Sequence, residues 1–550
     1  MRLLDVMMIG AVGACSVLPA AAQVRLDRAD PTITERSLPR PAPKAEARDL
    51  PRLTPPADAL TIDDLARPPI ASAVVVDGNR AVQTAAFAPA IVLYLGRALS
   101  RDDLASLAGE IAAVARRAGY PFARASIAPQ AMSGGVLHVR LEEGSIDAVR
   151  VIGAINPLAD RILTKALVTG APVRAATLER AILLVGDMPG VRVKDSKFIE
   201  QNGFNILLVT IVEDKANAYV QVDNRGSAEI GPIRATMLAN YRGLAEPGDE
   251  LGLIAATTPI NPSEFAFIRA RYGAPVDDSG AMLTVSGSYG RANPGGWLAP
   301  LNIIGNSMDL AVAYTRPLLR SRIRSLSAAI EFRALKTDQT LLGSTLRDDR
   351  LTTVTGSLIG STQAGFGVLR GQVAVTAGLP LAGVTHQGDR YTSRSDGDAR
   401  FVTVGFNADW SARVAGPVSV ALASAGQLAS RPLLATAEIG VGGPGFARAF
   451  DYAERTGDQG IMGSGEIRAD LRPDTGAVDR LQLYTFVDGG YVDNLRNGIG
   501  GGSLLSTGAG ARVGNRLFDG MIEIAFPLNA DRFDTGSRRP RVSFRLSRSF

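Results

Sequence analysis

Residue types that commonly carry out catalysis or hold metals are scarce in this chain. Its 550 residues include two histidines, His138 and His386, and a single cysteine, Cys15. The chain therefore offers little for a histidine metal site or a Ser-His catalytic pair, and too few cysteines for a zinc cluster. The glycine-rich stretch 497–502 superficially resembles a phosphate-binding loop, but no helical pattern follows it, which favours a flexible turn. No paired carboxylates or catalytic triad stand out, so the sequence predicts neither an enzyme nor a cofactor.

The overall composition indicates a folded protein that is rich in turns. Hydrophobic residues make up 46% of the chain and charged residues 21%, which is enough to build a sizeable core. The 59 glycines exceed the usual share of about 7% and favour turns and strands over long helices. The formal net charge is only +5 and no basic block stands out, so nucleic acid is not expected as a partner.

The first 22 residues have the pattern of an export signal. Arg2 precedes an apolar stretch that ends in small residues before Gln23, which predicts a signal peptide over residues 1–22. Cys15 offers the alternative of a lipoprotein cysteine, although cleavage there would split the apolar stretch. No later segment reaches the roughly 18–20 uninterrupted apolar residues of a membrane helix. An exported chain of this kind is periplasmic, secreted or an outer-membrane β-barrel.

The next part of the chain divides into a linker and two similar units. Residues 23–70 are rich in proline and predict an extended linker, with a possible short plug helix before Pro31. Residues 71–146 and 147–215 each show a strand, two helical patterns and two further strands. Two adjacent units of this kind indicate an internal repeat.

Local patterns place the elements of these two units. A helix is expected to begin after Ser100, whose side chain can cap it, and to end at Gly119. In the strand 136–142, His138 falls on the polar side, which favours an exposed or edge-strand histidine over a metal ligand. The second unit is expected to contain short strands at 191–193 and 206–211.

From residue 216 onward the helical periodicity stops and short alternating runs take over. Repeated alternation of this kind is typical of a transmembrane barrel whose outer face contacts lipid. Residues 216–550 allow about 21 residues for each of sixteen strands with its connection, and spanning strands need only about 9–11. In the last strand the apolar residues share one face, which only Arg548 interrupts: Val542, Phe544, Leu546 and Phe550.

The two repeated units carry an ordered set of short motifs. The first contains Tyr94-Leu95-Gly96-Arg97, Gly119-Tyr120 and Glu143-Gly144-Ser145-Ile146. The second contains Leu178-Glu179-Arg180 and Met188-Pro189-Gly190-Val191. This order resembles the first and second POTRA domains of the two-partner secretion transporters (TpsB type). The resemblance implies POTRA 1 over residues 71–146 and POTRA 2 over residues 147–215.

The C-terminal part carries two further motifs of the same superfamily. The stretch 442–450, which contains Gly442, Gly443 and Phe450, resembles the long-loop motif Val-Arg-Gly-Tyr/Phe, with Ala447 and Ala449 on either side of Arg448. The stretch 486–490 matches the strand motif Phe-x-Asp-x-Gly, and alternation puts Phe486, Asp488 and Gly490 on one face. The resemblance implies that the loop folds into the lumen, where Arg448 pairs with Asp488. A guanidinium and a carboxylate can pair through two parallel hydrogen bonds.

The resemblance also implies a fold and a function. The fold would be mainly β, with a 16-stranded transmembrane β-barrel over residues 216–550 preceded by two periplasmic α+β POTRA domains. The protein would capture a secreted exoprotein of the TpsA-like haemolysin or adhesin class and export it through the outer membrane. Outer-membrane lipid and the barrel-assembly machinery are the other implied partners, and Phe550 would be the assembly signal.

Three alternatives remain open at this point. A barrel-assembly protein of the BamA/TamA type usually carries three or more POTRA domains, whereas two fit before residue 216. A passive porin would have no need for residues 71–215. An outer-membrane enzyme would need a catalytic constellation, and the sequence offers none.

Overall fold

The computed structural model describes residues 31–36, 68–130, 133–471, 478–496 and 498–550. The predicted signal peptide, Cys15, most of the proline-rich linker and the helix expected before Pro31 lie outside these residues. Within the linker one short helix is described, α1 (Pro31–Arg36).

None of the helices in these ranges combines the length and apolarity that crossing a bilayer requires.

The first α/β unit is a three-stranded sheet covered by one long helix. Its elements are β1 (Ala73–Asp77), α2 (Ala88–Ile91), α3 (Arg101–Arg117), β2 (Arg124–Ser126) and β3 (Val136–Glu142). The strand order is β1–β3–β2, with β1 parallel and β2 antiparallel to the central strand. The core forms where the apolar face of α3, including Leu104 and Ile111, packs against Leu137 and Val139 of β3.

Local chemistry sets both ends of α3. The Asp103 backbone N–H donates to Ser100 Oγ at 3.1 Å and the Ser100 N–H donates to the Asp103 carboxylate at 2.9 Å, which forms a capping box. Hydrogen bonding from Ser100 lowers the pKa of Asp103 to about 2, so the cap stays ionised. Gly119 follows the helix at a φ of +100°, a conformation that favours glycine. The predicted start and end of this helix are confirmed.

His138 lies on β3, the central strand of its sheet. Its Nδ1 is 2.8 Å from Oδ2 of Asp77 on β1, and both side chains are 55% exposed. The expectation of an exposed histidine is therefore confirmed, whereas the edge-strand option is wrong. The error arises because alternation along one strand reports which side is polar and not which strands flank it.

The second α/β unit repeats the connectivity of the first. Its elements are β4 (Ala148–Ile152), α4 (Pro157–Leu167), α5 (Ala175–Asp187), β5 (Val191–Gln201) and β6 (Phe204–Glu213). The strand order is β4–β6–β5, again with the first strand parallel and the other antiparallel to the central one. The two short predicted strands are parts of longer ones, because the β5–β6 hairpin continues past a register shift after Val193.

Sixteen antiparallel strands then close into a barrel, which confirms the expected strand number. Eleven strands come first: β7 (Ala216–Asp223), β8 (Arg234–Arg242), β9 (Glu250–Thr257), β10 (Phe265–Pro275), β11 (Met282–Ala292), β12 (Ile304–Arg320), β13 (Arg324–Leu341), β14 (Ser344–Ala364), β15 (Gly367–Gly378), β16 (Val402–Ala415) and β17 (Val418–Ala429). A long connection, residues 430–458, contains the hairpin of β18 (Ile439–Val441) and β19 (Arg455–Gly457). Five strands follow: β20 (Gln459–Leu471), β21 (Arg480–Asp493), β22 (Gly502–Gly514), β23 (Phe518–Pro527) and β24 (Arg541–Ser549).

Exposure along the barrel strands is the reverse of that in a water-soluble sheet. On β24 the apolar side chains of Val542, Phe544 and Leu546 are exposed, whereas Ser543 and Ser547 are buried. An apolar outer face and a polar inner face are typical of a barrel that stands in lipid. The predicted division of this strand into two faces is confirmed.

Arg548, the second-last residue of β24, interrupts the apolar outer face of this strand. Its guanidinium lies 5.0 Å from the ring centre of Phe518 and 4.6 Å from that of Phe550. Contact with the faces of two aromatic rings stabilises a cation at the edge of an apolar surface.

The barrel closes where β24 pairs with β7. Residues 545–549 pair with residues 219–223, which is the shortest ladder between neighbouring barrel strands. Asn224 extends it beyond the end of β7, because its side-chain amide donates to Val542 O at 2.9 Å and accepts from the Phe544 N–H at 2.7 Å. A side chain thus takes over the hydrogen bonds that a further strand residue would make.

The second α/β unit contacts one end of the barrel. Asp187, at the end of α5, forms a two-pronged pair with Arg320 of β12 at 2.6 and 2.9 Å. Arg161 and Lys165 of α4 both lie 3.3 Å from Asp278 in the connection between β10 and β11. We call this the near end. The connection 430–458 leaves the barrel at the opposite, far end, because an odd number of strands separates it from the near-end start of β7.

Candidate functional site

The connection 430–458 folds back into the barrel. Ala447, Ala449 and Phe450 are fully buried and pack against inward-facing residues of the wall, among them Phe486 and Leu504. We call residues 442–451 the lumen loop. It occupies the interior on the side formed by β20 to β24.

Two glycines and one alanine shape the lumen loop. Gly442 and Gly443 have φ values of +116° and +102°, and a Cβ on Gly442 would meet Asp451 O at 2.1 Å. Ala447 has a φ of +55°, a left-handed conformation that costs an L-residue about 1–2 kcal/mol. Ala449, which stands where the motif has glycine, has no such conformation and donates its N–H to Ser506 Oγ at 3.4 Å. Alanine is therefore compatible with the backbone at that position.

Arg448 reaches three carboxylates on the inner wall. Its Nε lies 2.9 Å from Asp488 Oδ2, and its Nη1 lies 2.9 Å from Glu466 and 3.2 Å from Glu523. Its Nη2 donates to Ser464 Oγ at 3.1 Å, and its backbone N–H donates to Asp488 at 3.3 Å. Arg448 is 7% exposed and Asp488 2%. Burial by itself would lower the pKa of Arg448, but the three carboxylates raise it, so the charge is retained.

The contact with Asp488 differs from the two-pronged pair that the sequence suggests. The Nε–Oδ2 separation is short, but neither atom has the alignment of a hydrogen bond, so this contact is an ion pair held by charge. The guanidinium is instead divided among β20, β21 and β23, which carry Glu466, Asp488 and Glu523. Removing one partner of a buried ion pair costs about 3–5 kcal/mol, because the other charge is left uncompensated.

The strand motif forms the surface beneath Arg448. Phe486, Asp488 and Gly490 share the inward face of β21, as alternation predicts. The Arg448 guanidinium lies 3.9 Å from the centre of the Phe486 ring, which adds a cation–π contact. A Cβ on Gly490 would lie 2.5 Å from Met462 Cγ, so a larger residue would collide with β20.

Further charged residues enclose this cluster and were not identified from the sequence. Glu523 also accepts from Arg225 and from the Tyr484 hydroxyl, and Glu466 also pairs with Arg468 and Arg512. The residues of this cluster that lie on strands all occupy inward positions, so alternation along each strand could have identified them as candidates. Their contacts join strands β20 to β23 to the connection after β7, and these residues are too far apart in sequence for a local pattern to show that they meet.

The lumen loop also bridges the closure between β7 and β24. Arg225, in the connection after β7, donates to Arg448 O at 3.2 Å. Arg541, at the start of β24, pairs with Asp451 and donates to Gly226 O at 3.2 Å. The loop therefore holds together the two strands whose own ladder is the shortest in the barrel.

A second buried arginine holds the stem of the same connection at the far end. Arg394, in the connection 379–401, lies 2.8 Å from Asp458, 3.2 Å from Glu438 and 2.7 Å from Asp396. It also donates to Leu495 O at 2.6 Å, so three far-end connections meet at one guanidinium. Burial alone would lower the pKa of Arg394, but the Asp396 hydrogen bond and the charges of Asp458 and Glu438 raise it. We call this cluster the far-end clasp.

Helix α1 lies inside the lumen, against β10 to β12. Glu35 pairs with Arg269 of β10, and the Arg36 guanidinium donates to Glu438 O at 3.0 Å. A Cβ built on Gly290 of β11 would lie 2.8 Å from Pro31 Cβ, which shows how closely the helix approaches the wall. Burial raises the pKa of Glu35, against the opposing charge of Arg269. Glu438, whose backbone oxygen accepts from Arg36 of the helix, is also a member of the far-end clasp.

A cavity of about 1970 Å³ opens at the near end, between the second α/β unit and the barrel wall. Charged residues of both signs line it, including Glu250, which lies 2.8 Å from both Arg242 and Arg271. Arg512 also lines it and binds Glu466, a partner of Arg448. The cavity therefore extends from the second α/β unit to Arg512, which is linked to Arg448 through Glu466.

The model of one protein family, the haemolysin secretion/activation proteins ShlB/FhaC/HecB, matches residues 204–513, more than half of the sequence. The chain belongs to this family. The matched region contains the lumen loop and the strand motif. The model of the ShlB-type POTRA domain matches residues 70–144, so the first α/β unit is a POTRA domain of the ShlB type.

Individual relatives agree with this assignment. The heme/hemopexin transporter protein HuxB of Haemophilus influenzae (strain 86-028NP) is 27% identical over 274 residues, which cover 48% of this chain and 47% of HuxB. The chain spans about half the length of the curated relatives it matches. The structure of CdiB from Escherichia coli superposes with a TM-score of 0.71 at 17% identity, over 98% of this chain and all of CdiB. CdiB from Acinetobacter baumannii gives 0.62 at 17% identity, over 97% and 100%. Both structures share the fold.

Family membership and the closed barrel place this ShlB-type protein in the outer membrane, with its POTRA region in the periplasm. The near end of the barrel is therefore periplasmic and the far end extracellular. Phe550 lies at the near end, is 63% exposed, and its backbone pairs with Ala218 of β7. Its role as an assembly signal stays a prediction.

Replacement of Arg394 by glutamine should loosen the far-end clasp. Asp396, Glu438 and Asp458 would keep their charges without the buried cation, at a cost of about 3–5 kcal/mol. We expect the folded barrel to unfold at a lower temperature on semi-native gels, and external protease to cleave the connection 430–458 faster.

Arg400→Gln is the matched control, because Arg400 lies in the same connection, is half-exposed and pairs with Asp398 alone among the described residues. Wild-type unfolding and cleavage in Arg394→Gln would show that the clasp does not hold the connection in place.

Proposed function

We propose that this protein secretes an exoprotein across the outer membrane, with the α/β units capturing the client and the barrel lumen providing the path. The observation that carries this proposal is the lumen loop, which Arg448 holds inside the barrel, together with a cavity that opens toward the second α/β unit. A barrel built for passive diffusion would have no need for the two α/β units in residues 71–215. The family's description as secretion/activation proteins supports the same reading.

The client would be captured by strand addition. Within the described residues β1 forms a ladder with β3 alone, and β4 with β6 alone, so each sheet has an edge strand with backbone groups available. An added client strand would satisfy these groups and would be recognised by its extended backbone more than by its sequence. This mode suits a client that arrives unfolded.

The junction of the two α/β units fixes the direction of these edges. Phe122 stacks on Phe198 with 4.2 Å between ring centres, and Arg124 pairs with Glu142 at 2.6 Å and also with Glu200. The second unit is in turn bound to the barrel through Asp187 and the residues of α4. A strand bound at either edge would thus be presented near the periplasmic cavity. We propose that the two units act as POTRA 1 and POTRA 2.

Passage of a client requires the lumen loop and α1 to move. We propose that Arg448 and Asp488 form a lock that keeps the loop in place until a client displaces it, and that α1 is a plug. Arg448 and Glu35 attach these elements to the wall through charges, which suits contacts that must be broken and remade, and movement of the loop would also take Phe450 out of its apolar cluster. Client folding outside the cell would favour outward movement.

The client is expected to be a large β-helical exoprotein of the TpsA-like haemolysin or adhesin class. The gene beside that of the transporter is the first candidate for it. Outer-membrane lipid and the barrel-assembly machinery complete the proposed set of partners. Barrel assembly, as in BamA/TamA-type proteins, would instead predict that loss of this protein depletes other outer-membrane barrels and leaves export unchanged.

Charge reversal of Asp488 should impair secretion while the barrel still assembles. Asp488→Arg places a second cation beside Arg448 in a buried cluster, so the lumen loop should leave its site. We expect export of the co-produced exoprotein into the medium to fall by about tenfold or more, in line with the loss of a buried ion pair. Heat-modifiable mobility on gels reports assembly.

Asp409→Arg provides the control, since Asp409 also faces the lumen but is half-exposed and pairs with Arg370 at 3.4 Å. Normal secretion by Asp488→Arg would refute the lock.

Deletion of residues 71–215 tests the capture step. The truncated protein should retain a conducting barrel in planar bilayers, because the barrel strands and the lumen loop remain. It should no longer export the exoprotein, because no sheet edge is left to bind it. Export at the wild-type level would remove the capture role and leave the barrel as the only element needed.

Charge reversal of Glu35 tests the plug. Glu35→Lys would face Arg269 with a like charge, so α1 should leave the wall and the open-channel fraction in planar bilayers should rise severalfold. Glu110→Lys makes the same change in charge on the exposed face of α3 and should leave conductance unchanged. Equal conductance of the two variants would argue against the plug.

A further inference from the structure

Three basic residues lie on the outer wall of the barrel near its extracellular end. Arg291 is on β11, Lys336 on β13 and Arg350 on β14, and all three are exposed. Each shares the outward face of its strand with exposed apolar residues: Arg291 with Tyr289, Lys336 with Phe332, and Arg350 with Leu358. They therefore belong to the surface that faces lipid and not to the lumen.

Their height on the wall follows from the apolar band below them. On β13 every outward residue from Leu326 to Ala334 is apolar, a stretch of nine residues, which is the length that crosses the hydrocarbon core. Lys336 is the next outward residue toward the extracellular end. The ladder places Arg350 directly opposite Lys336, so both reach the level where the hydrocarbon ends and the headgroups begin.

The arrangement of charge at this level is unfavourable for the protein alone. Lys336 and Arg350 are like charges in directly opposed positions, as are Asp338 and Asp348 one outward position further from the membrane. Like charges in such cross-strand pairs are destabilising. Lys336 and Arg350 thus form a pair of cations next to the hydrocarbon boundary, and Asp338 and Asp348 form a pair of carboxylates on the water side. Arg291 stands level with the carboxylates, because it pairs with Asn306 and Asn306 pairs with Asp338.

The carboxylates compensate the cations only in part. Arg350 pairs with Asp348 at 3.1 Å, whereas Lys336 lies 4.0 Å from Asp338. Asp338 is held on its other side by Asn306, whose amide donates to it at 2.9 Å. Arg291 forms no ion pair among the described residues. Three cations against two carboxylates thus leave net positive charge and unused donors at this end of the outer wall.

We propose that Lys336 and Arg350, with Arg291 beside them one outward position nearer the water, bind the phosphate groups of anionic glycolipid in the outer leaflet of the outer membrane. A phosphate between Lys336 and Arg350 would cancel their mutual repulsion and accept charge-assisted hydrogen bonds from both. The acyl chains of the same lipid would lie along the apolar band below. A lipid fits better than a soluble anion, because these basic residues continue an apolar surface and are themselves exposed.

The test uses the full chain purified in a phosphate-free detergent buffer, with lipid A as the probe. Lipid A should raise the unfolding temperature of the wild-type barrel. In the double variant Lys336→Gln/Arg350→Gln, the lipid A concentration that gives half of this shift should be roughly thirtyfold higher. That figure follows from about fivefold for each basic residue at an anionic lipid surface. Arg431→Gln/Arg496→Gln removes the same charge from exposed extracellular connections and should respond like the wild type.

Two further arms separate the sources of phosphate. Inorganic phosphate at the same concentration should have no effect; a shift as large as that with lipid A would indicate a free-anion site and overturn the lipid assignment. If the double variant does not fold, Arg291→Gln decides, with an expected fivefold weaker response to lipid A. If the variants that fold respond to lipid A at the same concentration as the wild type, the proposal is also overturned.

Discussion

The structure depends first on closure of the barrel. In hydrocarbon each backbone N–H and C=O needs a partner within the protein, and a sheet meets this need only when its first and last strands pair. Here that pairing is the shortest ladder in the barrel, between β24 and β7. Asn224 lengthens it by side-chain hydrogen bonds, and Arg225 and Arg541 connect its two sides to the lumen loop. The loop thus has a structural task, support of the closure, beside its proposed part in transport.

Closure places polar side chains in the interior, and the interior must then satisfy them. A buried charge is costly without a partner, and the lumen loop supplies Arg448 to the carboxylates of Glu466, Asp488 and Glu523. The far-end clasp repeats this arrangement with Arg394. The same connection is therefore held at its tip and at its stem by two separate arginines. The proposed movement of the tip therefore requires the contacts of Arg448 to break but not those of Arg394.

The outer wall follows the opposite rule, and its exceptions are informative. Apolar residues are exposed there because lipid is their solvent, so each outward charge marks a level at which lipid gives way to headgroups or water. Arg548 marks the periplasmic boundary, where it contacts Phe518 and Phe550. Lys336 and Arg350 mark the extracellular boundary.

The sequence by itself determined what depends on neighbours along the chain. The capped start of α3, the two faces of β24 and the shared face of Phe486, Asp488 and Gly490 follow from local hydrogen bonds and from the period of two. Only the tertiary structure decided which strand lies beside which. It placed His138 on a central strand, extended β5 through its hairpin, divided Arg448 among three carboxylates instead of one, and assembled the Arg394 cluster from three connections. These features join residues far apart in sequence, and their energies depend on burial and on distances that no local pattern encodes.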